Sequence, residues 1–358
     1  MIMPNVGLFG KPGSGKTTLF HLLTRSHGER LTTAVDVRAA HASVSVPEPR
    51  LDVVFDVFKP KKKVYPTVEI TDVAGYPVRG GDTKITRAIA DTLRKCDALA
   101  VVLAAYTPEA RKSLDRDFDD LTTEFEISDL ATCEHALDNL KHQLRLNRKE
   151  DKVRYDLLDH LKASLDTGTA LRQMRLSYDQ EALVRDMAFL SLKPMFVVVN
   201  CGEDCLGKDP DEPTRAFIKR CERAQVPLAT FSAKIEDELQ ELSEADRADF
   251  LSEYKITAGG ADRFAKAAYA AIGLVTFLTV APAEARAWTI KSGTTAVDAA
   301  RLIHTDIAKG FVRAETVSFS EFDKARDMNV LKKEGRIRLE GRDYVVKDGD
   351  LIQIRFTQ

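Results

Sequence analysis

The sequence is poor in cysteine and tryptophan. Its 358 residues include five cysteines and one tryptophan, and no two cysteines form a Cys-x-x-Cys pair. An odd number of cysteines without a matching histidine spacing indicates neither a disulfide framework nor a zinc site. We expect reduced thiols in a cytoplasmic protein.

The sequence also lacks a long apolar run and a recognisable leader. The longest uncharged run covers residues 267–283, where Gly273 and Pro282 interrupt it. This run is shorter than the roughly 18 to 20 apolar residues that cross a bilayer. The first residues show no basic segment followed by a small-residue cleavage site. We therefore expect no signal peptide, no membrane insertion and a cytoplasmic location.

A strong excess of one charge is absent as well, since 53 Lys and Arg face 55 Asp and Glu. This balance excludes a uniformly basic coat for nucleic acid and leaves only local basic patches. Two basic runs occur, namely Lys59, Lys61, Lys62 and Lys63, and Lys141, Arg145, Arg148, Lys149, Lys152 and Arg154. Both runs suit either a solvated surface or contact with RNA phosphates. No aromatic residues are interleaved for base reading, so we expect no specific DNA binding.

Short apolar segments alternate with stretches long enough to hold helices. The predicted strands cover residues 5–9, 68–71, 98–104, 195–199 and 228–231, and a helix is predicted over 17–24. Buried strands that alternate with helices are typical of a doubly wound, mainly parallel sheet. The sequence therefore predicts an α/β fold.

Two further segments interrupt or follow this pattern. Apolar residues with heptad spacing lie on both sides of a polar turn at 147–151, and they are Leu130, Cys133, Leu137, Leu140, Leu144, Leu158, Leu161 and Leu165. They predict an inserted antiparallel helical hairpin, with helices that merely cover the sheet as the alternative. Alternating residues and turns after Pro282, with a helix predicted over about 296–307, indicate a small mixed module. The predicted domains are 1–121, 122–192, 193–281 and 282–358.

The strongest chemical signal is the segment GKPGSGKT at residues 10–17, which fits the P-loop pattern between a strand and a helix. Its glycines let backbone N–H groups turn toward phosphates, and the helix N-terminus adds a positive dipole. Lys16 is expected to neutralise β- and γ-phosphate oxygens, and Thr17 to bind Mg²⁺. The alternative is a glycine-rich loop without a ligand.

A second motif, DVAG at residues 72–75, follows the predicted strand 68–71. P-loop proteins place here an aspartate on the Mg²⁺ side and a glycine whose N–H reaches the γ-phosphate. We expect catalytic roles for Lys16, Asp72 and Gly75, and Mg²⁺ binding by Thr17 and Asp72. Tyr76 stands where signalling GTPases carry a glutamine that orients water, and a phenol cannot do that.

Two strand ends are expected to frame the base. Asn200-Cys201-Gly202-Glu203 stands where a GTPase has Asn-Lys-x-Asp, and Ser232-Ala233-Lys234 closes the next strand. A guanine-reading aspartate accepts from N1–H and the 2-amino group, which adenine lacks. Glu203 has one more methylene and Cys201 replaces the lysine, so the guanine code is broken. Alternatively, Glu203 is an ordinary loop carboxylate.

The expected nucleotide contacts come from the P-loop and from both base loops. They are Gly10, Pro12, Gly13, Ser14, Gly15, Lys16, Thr17, Thr18, Asn200, Glu203, Ser232, Ala233 and Lys234.

Over nearly its whole length, the sequence resembles the YchF / Obg-like ATPase family of the P-loop GTPase superfamily. Besides the P-loop and DVAG, the similar stretches are 47–52 (PEPRLD), 129–136 (DLATCEHA), 286–290 (RAWTI), 303–314 (IHTDIAKGFVRA) and 344–350 (YVVKDGD). The resemblance implies an ATP-preferring hydrolase with a helical hairpin and a carboxy-terminal TGS-type, β-grasp (ubiquitin-like) domain. It also implies association with ribosomes, for which ribosomal RNA at the basic hairpin tip is the expected contact.

The sequence departs from the family pattern at two informative positions. Gly13 stands where relatives carry an asparagine, and Val101 aligns with a histidine proposed for catalysis. Gly13 argues against activation by potassium, whereas Val101, together with Tyr76, predicts slow hydrolysis of ATP. A GTPase of the same fold and a nucleotide-gated binding module with negligible turnover are the alternatives.

Overall fold

The computed structural model describes residues 3–25, 39–73, 78–79, 82–83, 85–144, 149–205, 208–239, 242–253 and 259–357. The chain divides into two compact units. The larger comprises Asn5–Ser43 and Glu69–Ala268, and the smaller comprises Met1–Pro4, Val44–Val68 and Tyr269–Gln358. Both units combine helices with a β-sheet, which confirms the predicted α/β class.

A six-stranded sheet forms the core of the larger unit. Its strands in spatial order are Ala39–Ser45, Thr67–Val73, Asn5–Phe9, Ala98–Ala105, Met195–Cys201 and Leu228–Phe231. The last five strands pair in parallel, as predicted. The two middle strands, Ala98–Ala105 and Met195–Cys201, are almost completely buried, because parallel strands are covered on both faces. The carboxyl ends of the parallel strands therefore meet at one edge, where the predicted site residues lie.

Helices follow the strands of the larger unit. They are Lys16–Arg25, Arg87–Arg94, Pro108–Lys112, Leu114–Leu144, Lys149–Asp166, Tyr178–Val184, Glu212–Arg223, Ala233–Leu239, Glu244–Glu253 and Gly260–Ile272, the last of which extends into the smaller unit. Short 3₁₀ turns occupy Leu171–Gln173, Arg185–Met187 and Glu203–Cys205, and a two-stranded ribbon joins Val78–Arg79 to Asp82–Thr83.

The predicted hairpin consists of helices Leu114–Leu144 and Lys149–Asp166. It is antiparallel, because Lys162 pairs with Glu134 at 3.5 Å while Tyr155, nearer the start of its helix, lies close to Lys141. The predicted heptad residues are buried together from Cys133 to Leu140 and from Leu158 to Leu165. The structure therefore contains the antiparallel helical pair that the heptad spacing predicts.

The first hairpin helix also covers the sheet, which was the alternative expectation. Leu114, Phe118, Leu121 and Phe125 belong to the same buried cluster as the central strands. The ring of Phe125 packs on that of Phe9, with centroids 4.8 Å apart. One continuous helix therefore packs on the sheet with its first half and forms one arm of the hairpin with its second half.

The smaller unit contains a mixed six-stranded sheet. Its spatial order is Arg338–Glu340, Phe311–Ser318, Asp350–Phe356, Leu274–Val280, Ala285–Lys291 and Lys63–Val64. Pairs within it are both parallel and antiparallel. Its helices are Pro49–Phe58, Ala296–Ile303, Thr305–Lys309, Phe319–Ala325 and Met328–Lys333. The predicted small mixed module is therefore present.

One predicted helix of this unit is broken in the structure. A single helix was expected over 296–307, but Ala296–Ile303 ends before His304, and Thr305–Lys309 begins after it. His304 has extended backbone angles, and its ring Nδ1 accepts a hydrogen bond from the Asp306 N–H at 3.2 Å. The histidine therefore acts as the N-cap of a new helix.

Residues 44–68 belong to the smaller unit although they precede most of the larger one. Strand Lys63–Val64 pairs in parallel with Ala285 and Arg286, and Leu51 and Val54 of helix Pro49–Phe58 are buried in its core. The four predicted domain ranges stay a prediction, since the compact units follow other limits.

Candidate functional site

The segment from Gly10 to Thr17, called here the phosphate loop, lies between strand Asn5–Phe9 and helix Lys16–Arg25. Gly15 has a φ of +92°, and a Cβ at this residue would overlap the amide of Asn200. At Gly10, a Cβ would overlap the carbonyl oxygen of Val102. These two positions therefore need glycine, the first for its backbone angle and both for their close neighbours.

Lys16 is the central cation of the phosphate loop. Its ammonium donates to the Gly10 carbonyl at 2.6 Å and to the Lys11 carbonyl at 3.1 Å. Burial lowers the pKa of Lys16, and the nearby Asp72 carboxylate opposes that shift. A lysine ammonium has three donors, so two carbonyls fix its position and one donor remains for a phosphate oxygen.

Thr17 and Asp72 meet beside this lysine. The Thr17 hydroxyl donates to Oδ2 of Asp72 at 3.1 Å. Asp72 is buried, and its Oδ1 makes no hydrogen bond within the described residues. Burial raises the pKa of Asp72, opposed by the Thr17 hydrogen bond and by the charges of Lys16 and His21. A hydroxyl and a carboxylate with a spare oxygen suit a hard divalent cation.

The other predicted loop residues differ in exposure. Ser14 is buried, whereas Pro12, Gly13, Thr17 and Thr18 are exposed at the surface of the loop. Gly75 and Tyr76 lie outside the described residues, so the predicted role of Gly75 stays a prediction.

Asn200 joins the phosphate loop to the second base loop. Its Nδ2 donates to the Ser14 carbonyl at 3.1 Å, and its Oδ1 accepts from the Ala233 N–H at 3.1 Å. The side chain is buried at the end of strand Met195–Cys201. Three predicted segments, around residues 14, 200 and 233, therefore come together in one site.

Among the remaining base-loop side chains, two are buried and two are exposed. Ser232 and Cys201 are buried, and burial raises the pKa of the Cys201 thiol to about 12. Glu203 and Lys234 are exposed. Glu203 makes no hydrogen bond within the part of the chain that the structure describes, and Lys234 lies 4.0 Å from Glu238. Glu203 and Lys234 are therefore accessible to a ligand.

Sequence reasoning missed the partners of the phosphate loop on the first hairpin helix. The ammonium of Lys11 binds Asp117 at 2.7 Å and Asp120 at 2.6 Å. The available signal was the acid-rich start of that helix, LDRDFDD at residues 114–120, since helix N-termini favour carboxylates.

Two more residues near the loops were missed. The Tyr106 hydroxyl donates to the Gly13 carbonyl at 2.8 Å. The buried guanidinium of Arg111 pairs with Asp204, the residue after Glu203, and lies 3.4 Å from Asp211. Asp204 is therefore held in an ion pair, which leaves Glu203 as the accessible acid of this loop.

The predicted basic hairpin tip is described only in part. Its described cations each have a carboxylate partner: Lys141 pairs with Asp138 at 3.2 Å, Lys152 with Asp156 at 2.6 Å and Arg154 with Asp186 at 2.6 Å. Arg145 and Arg148, with the side chain of Lys149, lie outside the described residues. In the other run, Lys62 and Lys63 pair with Glu284 and Asp52. Local acids therefore balance part of each basic run.

No cluster of three or more His, Cys, Asp or Glu side chains within the described residues is placed to hold a metal ion. Among the described helices, none is long and apolar enough to cross a bilayer.

Known YchF proteins match this chain, and the curated relatives and one solved structure do so over almost its full length. The YchF-GTPase_C family model, described as a protein of unknown function, matches residues 274–357. The chain is 32% identical to the "Ribosome-binding ATPase YchF" of Haemophilus influenzae and 31% identical to that of Bacillus subtilis, covering 98% of both chains in each pair. The solved YchF GTPase of Schizosaccharomyces pombe has the same fold, with a TM-score of 0.82, 22% identity, and coverage of 98% of this chain and 97% of that one.

Proposed function

The chain belongs to the YchF / Obg-like ATPase family, and we propose that it binds and slowly hydrolyses a nucleoside triphosphate, with ATP preferred over GTP. The observation that carries this proposal is the phosphate loop itself. Lys16 lies at the start of a helix, is positioned by the Gly10 and Lys11 carbonyls, and keeps a donor for phosphate. Helix N-termini with such loops bind phosphate groups.

Mg²⁺ fits the residues that accompany this loop. Thr17 and Asp72 would hold it, and the buried Oδ1 of Asp72 has no other partner among the described residues. When bound, Mg²⁺ neutralises charge on the β- and γ-phosphate oxygens. The protein's own contribution is to keep the hydroxyl, the carboxylate and the Lys16 ammonium together in one place.

The preference for ATP rests on the base loop. A guanine-reading loop needs an aspartate that reaches both N1–H and the 2-amino group, and here Glu203 is longer and exposed. Cys201, at the position of the GTPase lysine, is buried instead of lying along a base. A GTPase of the same fold is the second candidate, because the solved relative from Schizosaccharomyces pombe carries the name GTPase.

Slow turnover is expected from a residue that cannot act on water. Val101, which aligns with the histidine proposed for catalysis in relatives, is completely buried in strand Ala98–Ala105. Its hydrocarbon side chain has no group to orient an attacking water. Phosphoryl transfer depends mainly on positioning and charge stabilisation, so hydrolysis is slowed but not abolished. The same observation favours, as a third candidate, a nucleotide-gated binding module with negligible turnover.

We also propose that nucleotide state controls association with ribosomes, since the relatives are named ribosome-binding ATPases. The hairpin tip is the proposed RNA contact. The smaller unit is proposed to contain the TGS-type β-grasp domain, which is supported by its mixed sheet and by the family match over 274–357.

Release of inorganic phosphate tests the activity directly. The purified chain is incubated with ATP or with GTP, with Mg²⁺ or with a chelator, beside the Lys16→Ala variant. We expect slow release that favours ATP, requires Mg²⁺ and is absent from the variant. Release that Lys16→Ala does not reduce would assign the activity to a contaminant and contradict the proposal.

A further inference from the structure

The side chain of Lys11 links the phosphate loop to the first hairpin helix. Asp117 and Asp120 lie one turn apart on helix Leu114–Leu144, and both bind the Lys11 ammonium, at 2.7 and 2.6 Å. Burial lowers the pKa of Lys11, but the two carboxylates outweigh burial, and the net effect raises that pKa. Lys11 therefore stays charged and tethered at neutral pH.

The backbone of the same residue positions the phosphate-binding lysine. The Lys11 carbonyl accepts from the Lys16 ammonium at 3.1 Å and from the Ser14 N–H at 3.1 Å. Because two carbonyls hold the ammonium of Lys16, their positions set the direction in which its third donor points. A displacement of the Lys11 carbonyl therefore changes the direction of the donor that meets the phosphate.

The neighbours of Lys11 limit how far its backbone can adjust independently. A residue that precedes proline is restricted to extended conformations, and Pro12 follows Lys11. On the other side, Gly10 lies against the Val102 carbonyl of the central strand. The position of the tethered Lys11 side chain is therefore coupled to the position of the Lys11 carbonyl.

The helix that carries the two aspartates is firmly held against the sheet. Phe118, Leu121 and Phe125 are buried in the same cluster as the central strands. Asp117 also accepts from the Ser113 hydroxyl at 2.8 Å. The carboxylates that bind Lys11 therefore have a fixed position from which to hold the loop.

We propose that Asp117 and Asp120 are positioning residues for nucleotide binding, and that they act through Lys11 to hold the Lys11 carbonyl where it directs Lys16 at the phosphates. This inference rests on the proposed nucleotide-binding function and deepens it. The helix of Asp117 and Asp120 continues without a break for 31 residues into the hairpin, so the phosphate loop is tied to the element that carries the proposed partner surface.

A double-mutant cycle on ATP affinity tests this proposal. Calorimetric Kd values for ATP are measured for the full chain, for Lys11→Met, for Asp117→Asn/Asp120→Asn and for the triple variant. Misplacing a binding group by about 1 Å is costly, so we expect each of the first two variants to weaken ATP binding about tenfold. Since the aspartates act through Lys11, their substitution adds less than about twofold in the Lys11→Met background.

Two further variants separate positioning from a general effect on the fold. Lys11→Arg keeps a cation for both aspartates and is expected to retain ATP affinity within about threefold. Asp115→Asn/Asp119→Asn removes two carboxylates from the same turns but releases Arg220 instead of Lys11. This matched control is expected to leave ATP affinity unchanged, and thermal unfolding of every variant checks that it is folded.

The outcomes are distinguishable from those of the proposed function. A wild-type chain that binds neither ATP nor GTP overturns the proposed function itself. A wild-type chain that binds ATP overturns this inference alone if folded Asp117→Asn/Asp120→Asn binds as tightly as wild type. The inference is also overturned if the loss of ATP affinity in Asp117→Asn/Asp120→Asn adds fully to the loss in Lys11→Met. It is overturned as well if the Asp115→Asn/Asp119→Asn control loses as much ATP affinity.

Discussion

The Nδ2 of Asn200 donates a hydrogen bond to the carbonyl oxygen of Ser14 at 3.1 Å, across 186 residues of sequence. The other side of the same amide, Oδ1, accepts from the Ala233 N–H. Asn200 therefore uses its amide to hold the phosphate loop and the second base loop at a fixed separation. Such a role affects the binding of every nucleotide and does not select a base.

Asn200→Ala is accordingly expected to weaken ATP and GTP binding by similar factors. It also leaves the Ser14 carbonyl and the Ala233 N–H without their partner, which costs about 1–3 kcal/mol in the free energy of unfolding for each buried group left unpaired. Calorimetry and denaturant unfolding measure the two effects. Asn139→Ala, on the exposed face of the hairpin, serves as control, and selective loss of one nucleotide would show that Asn200 reads the base.

Glu203→Asp tests the base preference without disturbing the core. Shortening the exposed side chain restores the aspartate of a guanine-reading loop, so we expect the ratio of ATP to GTP affinity to move toward GTP. Cys201→Lys, the second change toward the GTPase loop, places a charge at a buried position. It is therefore added to Glu203→Asp only after that single variant has been measured. A wild-type protein that prefers GTP by about tenfold, or about 1.4 kcal/mol, would contradict the assigned preference.

The pH dependence of ATP binding follows from the burial of Lys16. Burial lowers its pKa below the ordinary 10.5, so the ammonium loses its charge at a lower pH than an exposed lysine. We expect ATP affinity to fall as pH rises through that lowered folded pKa. The fold gains stability over the same interval, because the unfolded chain binds the proton more tightly. Titrations from neutral pH upward measure both, and ATP affinity that stays constant beyond pH 10.5 would argue against a lowered pKa.

Reversing Arg145, Arg148, Lys149 and Lys152 to Glu tests the hairpin tip as a ribosome contact. We expect ATP hydrolysis by the free variant to stay near wild type, while co-sedimentation with ribosomes weakens. Wild-type co-sedimentation should decline with salt, because phosphate contacts release counterions.

The matched comparison for that experiment is Lys59→Glu/Lys61→Glu, which changes the second basic run. If only this variant loses co-sedimentation, the contact lies on the smaller unit. A four-site hairpin variant that still sediments like wild type at low and moderate salt would show that the tip is merely solvated.

Locally encoded features were predictable from the sequence. The strands Asn5–Phe9 and Leu228–Phe231 match the predicted limits, because buried parallel strands are continuous apolar runs. The phosphate loop was equally clear, since its glycines, lysine and threonine are adjacent in sequence. The hairpin followed from the spacing of its leucines.

Contacts between distant parts of the chain were not predictable in the same way. Lys11 and Asp117 are 106 residues apart. The sequence alone does not indicate which aspartate pairs with this lysine. Strand Lys63–Val64 is too short to show any alternation, yet it joins residues 44–68 to the smaller unit. Asn200 stays predicted as a nucleotide contact, and only the structure reveals the two backbone partners of its amide.

Calorimetric titration of ATP with Mg²⁺ into the wild-type chain and into Lys16→Ala tests the central claim most directly. The account predicts saturable binding to wild type at one site per chain. It also predicts loss of that binding in a folded variant, because the phosphates lose the cation that the Gly10 and Lys11 carbonyls hold in place. Equal ATP affinity of the two proteins would contradict the assignment of the phosphate loop as the nucleotide site.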